Sequence, residues 1–293
     1  VGYGAFRRLS RNQGNIPSIE LKKANRETNF ITQFQEDQPL NTFEEWMVHL
    51  DYRIAKNPDD HNAKKMRDLG KKTITKLLPG NVNIDQVRSD GIILFVLENE
   101  LVELPQLSDG FRSIIALAGD LILRLIQSFP HLENPTLASG IILIDELDIH
   151  LHPVWQRYIA EWLRSVFPNL QFIIATHSPL IAAGAGDDAL ILNLKMVNGE
   201  IEIETIDDIS AYDIDYILRS PAFGLMSTHS PTTQQKIDRY DELINKRHNL
   251  TEIEQKEYTQ LRQFMREYQP IGGKPEPGSL EDKMDKFLEE YFK

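Results

Sequence analysis

The stretch from Gly140 to Pro153 reads Gly-Ile-Ile-Leu-Ile-Asp-Glu-Leu-Asp-Ile-His-Leu-His-Pro, and it constrains the fold more than any other part of the chain. Four consecutive apolar residues, Ile141 to Ile144, come after a glycine and end in two adjacent carboxylates, Asp145 and Glu146. An apolar run of this kind reads as a strand of a parallel sheet, buried on both faces. The two acids then stand at its C-terminal end, the edge where open α/β sheets place their ligands. Two like charges side by side call for a cationic counterpart, and a Mg²⁺ carrying a polyphosphate supplies one. On that reading Asp145 holds the metal, directly or through water, and Glu146 polarises an attacking water. The same pair could equally cap the next turn of an ordinary α/β protein, and these residues alone do not separate the two.

Residues downstream of the acids extend the pattern. Pro153 suits the first turn of a helix whose buried face is Trp155, Tyr158, Ile159, Trp162, Val166 and Phe167. Pro168-Asn169 ends that helix. Gln171 to Thr176 is a second buried strand, closing in Thr176-His177-Ser178-Pro179. A strand–helix–strand unit of this kind is right-handed with parallel strands, so Asp145, Glu146 and His177 fall at neighbouring strand ends. Upstream, Ser108-Asp109-Gly110 opens a helix with Phe111, Ile114, Ile115, Ala118, Leu121, Ile122, Leu125 and Ile126 on one face. Free N–H groups beside a serine hydroxyl make that helix start either an anion site or a plain N-cap.

The remaining elements frame these two regions. Thr42 caps a helix to Lys56, with Glu45 at the capping-box position and Phe43, Trp46, Met47 and Leu50 as its stripe. After a turn at 57–60, a second helix runs to about Leu78, so that residues of about 40–80 form a helical insertion. Residues 91–97 and 101–104 read as a hairpin, and 189–194 with 200–206 as another, turning at Asn198-Gly199. From 211 the chain is helical: a hairpin over 234–248 and 251–268, a linker at 272–275, and an amphipathic helix carrying Leu280, Met284, Phe287, Leu288 and Tyr291. The expected division is an α/β portion, 1–210, and a helical portion, 211–293.

Composition narrows the function. The formal charge of −12 argues against a general nucleic-acid binder, although residues 1–30 are locally basic. The chain has no cysteine, which excludes disulfides, thiol nucleophiles and cysteine-based metal sites and fits a reducing cytoplasm. No apolar run approaches the roughly 20 residues that cross a bilayer. His150-Leu-His152 has spacing that can bind a metal from a strand, which with Asp145 and Glu146 would suggest a metallohydrolase. Pro153 instead puts both histidines in a loop before a helix, where hydrogen-bonding or dimer-contact roles are expected.

Taken in order, Leu107 to Gly110, Ile141 to Glu146, Leu147-Asp148 and His177 resemble the signature motif, Walker B strand, D-loop and switch histidine of the ABC-type ATPase head found in SMC-like, RecF-like and OLD-like ATPases. Asp145 to Pro153, Thr176 to Pro179 and Tyr3 to Arg7 are similar to bacterial anti-phage defence ATPases of the Septu and retron-associated type. The resemblance covers about residues 91–205. It implies a partial P-loop NTPase head of the α/β class, with a parallel sheet flanked by helices. ATP and Mg²⁺ would be its cofactors. Asp145 would coordinate Mg²⁺ through water, Glu146 would be the general base, and His177 would contact the γ-phosphate. Ser108, Asp109 and Gly110 would meet a nucleotide held by a second subunit, and Asp148 would couple the two sites. A homodimer or higher oligomer would control an effector in trans, a nuclease, reaching nucleic acid through the complex, in the cytoplasm and away from membranes. The helical portion would be the dimer contact or the effector's dock.

The chain departs from the family pattern in lacking Gly-x-x-x-x-Gly-Lys-Ser/Thr; Gly70-Lys71 and Gly273-Lys274 have neither the upstream glycine nor the succeeding hydroxyl. The expected explanation is a longer protein whose P-loop lobe lies outside this chain. The alternatives are a degenerate head that only binds a partner, or a DNA-repair head that binds DNA directly. The latter calls for long arms or a broad basic face, and the helices within 42–78 are too short for arms.

Overall fold

The structure, a computed structural model, describes residues 1–5, 43–79, 82–88, 91–207, 209–246 and 250–267. The basic stretch of 6–30, the Thr42 cap, the linker at 272–275 and the final amphipathic helix lie outside the described residues. The chain divides into two compact units, Val1–Phe223 and Gly224–Lys293.

The first unit begins with a short strand β1 (Gly2–Tyr3), succeeded among the described residues by helices α1 (Phe43–Lys56) and α2 (His61–Leu77). Helix α1 buries the expected stripe of Phe43, Trp46, Met47 and Leu50. Asp60 starts α2 by accepting the Ala63 N–H at 2.9 Å, while Arg53 grips the same carboxylate at 2.7 Å. Next come β2 (Asn83–Val87), β3 (Ile93–Leu97) and β4 (Glu100–Glu103), an antiparallel meander. Leu97 faces Glu100 across a two-residue turn in which Glu98 and Asn99 both take positive φ, the conformation a tight hairpin demands. Strand β2 was not expected from sequence. Asn-Ile-Asp-Gln-Val has little strand character, and its pairing with β3 creates the strand.

Helix α3 (Asp109–Ser128) is more deeply buried than its stripe implied. Every residue from Ser113 to Leu125 is buried, including Asp120 and Arg124. An acid and a base survive there because they pair with each other at i and i+4, at 2.5 Å. The Tyr3 hydroxyl donates to the same Asp120 carboxylate at 2.9 Å, which fastens β1 to α3.

Strand β5 (Gly140–Ile144), helix α4 (Pro153–Val166) and strand β6 (Leu170–Ile174) form the expected strand–helix–strand unit. The sheet is parallel, in the order β1–β5–β6. One expectation fails here. Ile142 and Ile144 are buried in one core with Ile114 and Leu121 of α3 and Ile159 and Leu163 of α4, but Ile141 is 54% exposed and Ile173 of β6 53%. Successive side chains alternate across a sheet. Among the described residues, helices cover only the Ile142–Ile144 side.

The short helix α5 (Pro179–Gly184) leads to an antiparallel ribbon, β7 (Ile191–Val197) and β8 (Glu200–Ile206), turning at Asn198-Gly199. Leu192, Leu194 and Met196 of β7 are exposed, as are Ile201 and Ile203, which lie opposite Met196 and Leu194. Helix α6 (Ile214–Arg219) closes this unit. Ile209 and Ile217 are buried with Ala183 in a second small core. Those contacts carry the first unit to Phe223, beyond the division near 210 expected from sequence.

In the second unit α7 (Pro231–Asn245) and α8 (Glu252–Glu267) form a helical hairpin. Tyr240 stacks on Tyr258 with centroids 5.5 Å apart, and Arg239 binds Glu257 through two nitrogens.

Candidate functional site

Strand pairing continues past the end of β5 and so fixes the residues just beyond it. The Asp145 N–H donates to the Tyr3 carbonyl at 2.9 Å, Ala175 N–H to Ile144 at 2.9 Å, and Leu147 N–H to Ala175 at 3.3 Å. Leu147 is buried as an anchor, so the acids before it stay at the sheet edge, Asp145 exposed and Glu146 half-buried. Two successive tight turns come next, closed by Ile149 N–H on Glu146 O and Leu151 N–H on Asp148 O. Glu146 (φ 45°) and His150 (φ 67°) are left-handed in this loop.

The loop turns Asp148 back onto the neighbouring strand end. One Asp148 carboxylate oxygen accepts from the Thr176 hydroxyl and, at 3.3 Å, from the His177 N–H. Ser178 N–H donates to the Thr176 hydroxyl oxygen at 3.0 Å, and the Ser178 hydroxyl caps α5 by accepting from Leu180 and Ile181. Asp145, Glu146, Asp148 and His177 therefore share the C-terminal edge of β5 and β6, with His177 exposed.

The Ser108–Gly110 start of α3 lies elsewhere. It lines an open cleft of about 670 Å³ together with Phe111, His150, Leu151, His152 and Trp155, and neither strand-end acid nor His177 is among the lining residues. Ser108 is at the N-cap position, yet its side chain makes no capping bond. Asp109 pairs with Arg112. Gly110 is required by packing: a Cβ there would sit 2.6 Å from the Trp155 ring and 2.9 Å from the His150 carbonyl. Trp155 in turn packs on Phe111 with centroids 4.6 Å apart. Among the sequence candidates, the two histidines join the Ser108–Gly110 stretch, while the acids join His177.

Two features bear on metal chemistry. An exposed Asp145 beside Glu146 is a set of hard oxygen donors that suits Mg²⁺, which takes one or two carboxylates and completes its shell with water and phosphate. A closed cage is a different matter. Among the described residues no three His, Cys, Asp or Glu side chains gather as for a metal. His152 uses Nδ1 to accept the Val154 N–H at 3.3 Å, capping α4. A site built from both histidines and both acids therefore has no support.

Sequence reasoning gave Thr176 no role beyond its place in the motif, and it passed over Gln156. Gln156 lies one turn into α4, and its amide reaches Asp148 O at 3.3 Å, Leu151 O at 2.9 Å and the Ser178 hydroxyl at 2.6 Å. The available signal was a long polar side chain within the first turn after a capped loop, where side chains bend back to loop backbone.

This architecture has relatives. The chain is 29% identical over 296 residues to the Septu protein PtuA of Bacillus mycoides (strain KBAB4), an alignment covering 100% of this chain and 38% of that protein. It is 46% identical over 103 residues to the retron Vc95 probable ATPase of Vibrio cholerae serotype O1 biovar El Tor, covering 34% of this chain and 20% of that protein. The chain thus spans less than half the length of either relative. Among solved structures, the SMC head domain from Thermotoga maritima shows a weak likeness, with 19% identity, a TM-score of 0.38, and coverage of 55% of this chain and 52% of that one. A family model described as "AAA domain, putative AbiEii toxin, Type IV TA system" matches residues 17–183. With more than half its length matched by that model, the chain belongs to this family of AAA domains.

Proposed function

We propose that this chain carries the hydrolytic edge of an ATP-driven head that dimerises with nucleotide between subunits and controls an effector, a nuclease in trans, in bacterial anti-phage defence in the cytoplasm. The observation that carries the reading is the separation of the two clusters: Asp145, Glu146, Asp148 and His177 share one sheet edge, while Ser108–Gly110 lines a different cleft. A helix start with an uncommitted serine hydroxyl and an open approach suits a nucleotide presented by a second copy.

Bound Mg²⁺ would neutralise phosphate charge as it develops in transfer. Asp145 would hold that ion from the strand end. Glu146, beside it and half-buried, would orient and deprotonate the attacking water. His177, exposed on the adjacent strand, would bind the terminal phosphate, its backbone fixed by Asp148. Ser108 and Gly110 would complete the partner's site with hydroxyl and backbone donors, and the Asp109–Arg112 pair would orient that turn. The phosphate-cradling Gly-x-x-x-x-Gly-Lys-Ser/Thr loop, which this chain lacks, would have to come from elsewhere in the full-length protein.

The test is ATP turnover and native mass of the full-length gene product, wild type beside Glu146→Gln. Turnover lost in the variant, with a dimer that ATP stabilises, is the expected result. A full-length protein that binds no ATP overturns the reading and leaves a scaffold.

A further inference from the structure

The two clusters are separate but not independent, because one loop serves both. Residues 148–152 carry Asp148 toward the His177 strand end and His150 and His152 toward the Ser108–Gly110 cleft. One side chain grips this loop and the strand end together. Gln156 donates its two amide hydrogens to the carbonyls of Asp148 (3.3 Å) and Leu151 (2.9 Å) and accepts the Ser178 hydroxyl at 2.6 Å. A primary amide is well suited to this, having two donors and an acceptor at one tip. Its orientation is determined: a flipped amide would set its oxygen against two carbonyls and its nitrogen against a donating hydroxyl. The Ser178 proton is equally committed, because that oxygen already accepts from Leu180 and Ile181 and so gives its hydrogen to Gln156.

From this network we infer that Gln156 is a positioning residue which holds the cleft-lining loop in register with the strand end bearing His177, so that the two half-sites of the head keep a fixed relation. It touches no reacting atom. It acts through Asp148, Leu151 and Ser178. The inference rests on the ATP-hydrolysing reading above.

A purely structural Gln156 would affect folding alone. The test therefore uses the full-length protein with Gln156→Met, which keeps volume and loses all three bonds, and Gln156→Glu, which keeps the Ser178 acceptor and loses both donations. For each we would measure ATP turnover against ATP concentration together with the melting temperature. The expected result is a kcat lowered about tenfold or more, a half-saturating ATP concentration within about twofold of wild type, and a Hill coefficient falling toward one. Adding Ser178→Ala to Gln156→Met should then cost less than the same change in wild type. Two well-folded variants with wild-type kcat and cooperativity overturn the inference. So does a loss of turnover that tracks only the folded fraction. A wild-type protein without turnover is a distinguishable result, since it removes the ATPase reading and this inference with it.

Discussion

Asp148 and Thr176 are 28 residues apart in sequence, yet the Thr176 hydroxyl donates to the Asp148 carboxylate, which also accepts the His177 N–H. The end of one strand thereby fixes the backbone of a proposed phosphate-binding histidine on the next. Removing the carboxylate should free that backbone. In the full-length protein we expect Asp148→Ala to lower kcat about ten- to hundredfold with little change in ATP affinity. Asp148→Asn, which keeps an oxygen acceptor, should recover part of the loss. Steady-state turnover alongside direct nucleotide titration checks this, and equal rates for all three proteins would contradict it.

Two glycines mark close approaches that differ in what they face. A Cβ at Gly110 would sit 2.6 Å from the Trp155 ring and 2.9 Å from the His150 carbonyl of a loop, whereas one at Gly184 would fall 1.9 Å from the Arg157 carbonyl oxygen of α4. A side chain can move aside and a helix backbone cannot. Gly110→Ala should cost about 1–3 kcal/mol and Gly184→Ala more, read by thermal or denaturant unfolding. Trp155→Leu should relieve part of the first and none of the second.

Burial, and then the negative charge of Asp120, push the Tyr3 phenol well above its ordinary range. The folded chain therefore keeps this proton at a pH where the unfolded chain gives it up. That contribution to stability is complete below about pH 10 and declines as the pH rises further. Denaturant midpoints measured from pH 8 to 11 should fall above about pH 10. In Tyr3→Phe the fall should be smaller, from a lower starting stability at neutral pH.

The Asp120–Arg124 pair offers a sharper energetic contrast. Asp120→Leu takes the paired carboxylate away from a buried guanidinium and from the Tyr3 phenol, at a cost of about 3–5 kcal/mol. The triple replacement Tyr3→Phe, Asp120→Leu, Arg124→Met removes all three of these polar groups together and should cost less than Asp120→Leu alone. Equilibrium unfolding of these variants beside wild type tests the ordering.

Much of this arrangement was legible in the residues, and the exceptions have physical causes. The helical stripes of α1 and α3 and the run ending in Asp145-Glu146 announce themselves because periodicity and abrupt polarity changes are local properties. Coverage is not local. Four apolar residues at 141–144 do not reveal that Ile142 and Ile144 are buried while Ile141 is exposed. The strand at 83–87 exists because β3 pairs with it. At the site, adjacency gave the acids and the strand end gave His177. Gln156 and the role of Thr176 escaped because their bonds depend on a loop conformation set by left-handed residues.

Those left-handed residues, Glu146 at φ 45° and His150 at φ 67°, have a consequence for how this protein could be made sturdier. Any L side chain at such a φ is held against its preference by about 1–2 kcal/mol, and glycine is not. The backbone strain that glycine relieves at either position is worth about 1–3 °C of melting temperature even after its larger unfolded-state entropy is counted. At position 146 it would also remove the carboxylate proposed to activate water. Selection for durability and selection for turnover thus pull this loop in opposite directions, and a laboratory search that screens for heat resistance alone should drift toward inactive proteins at residue 146.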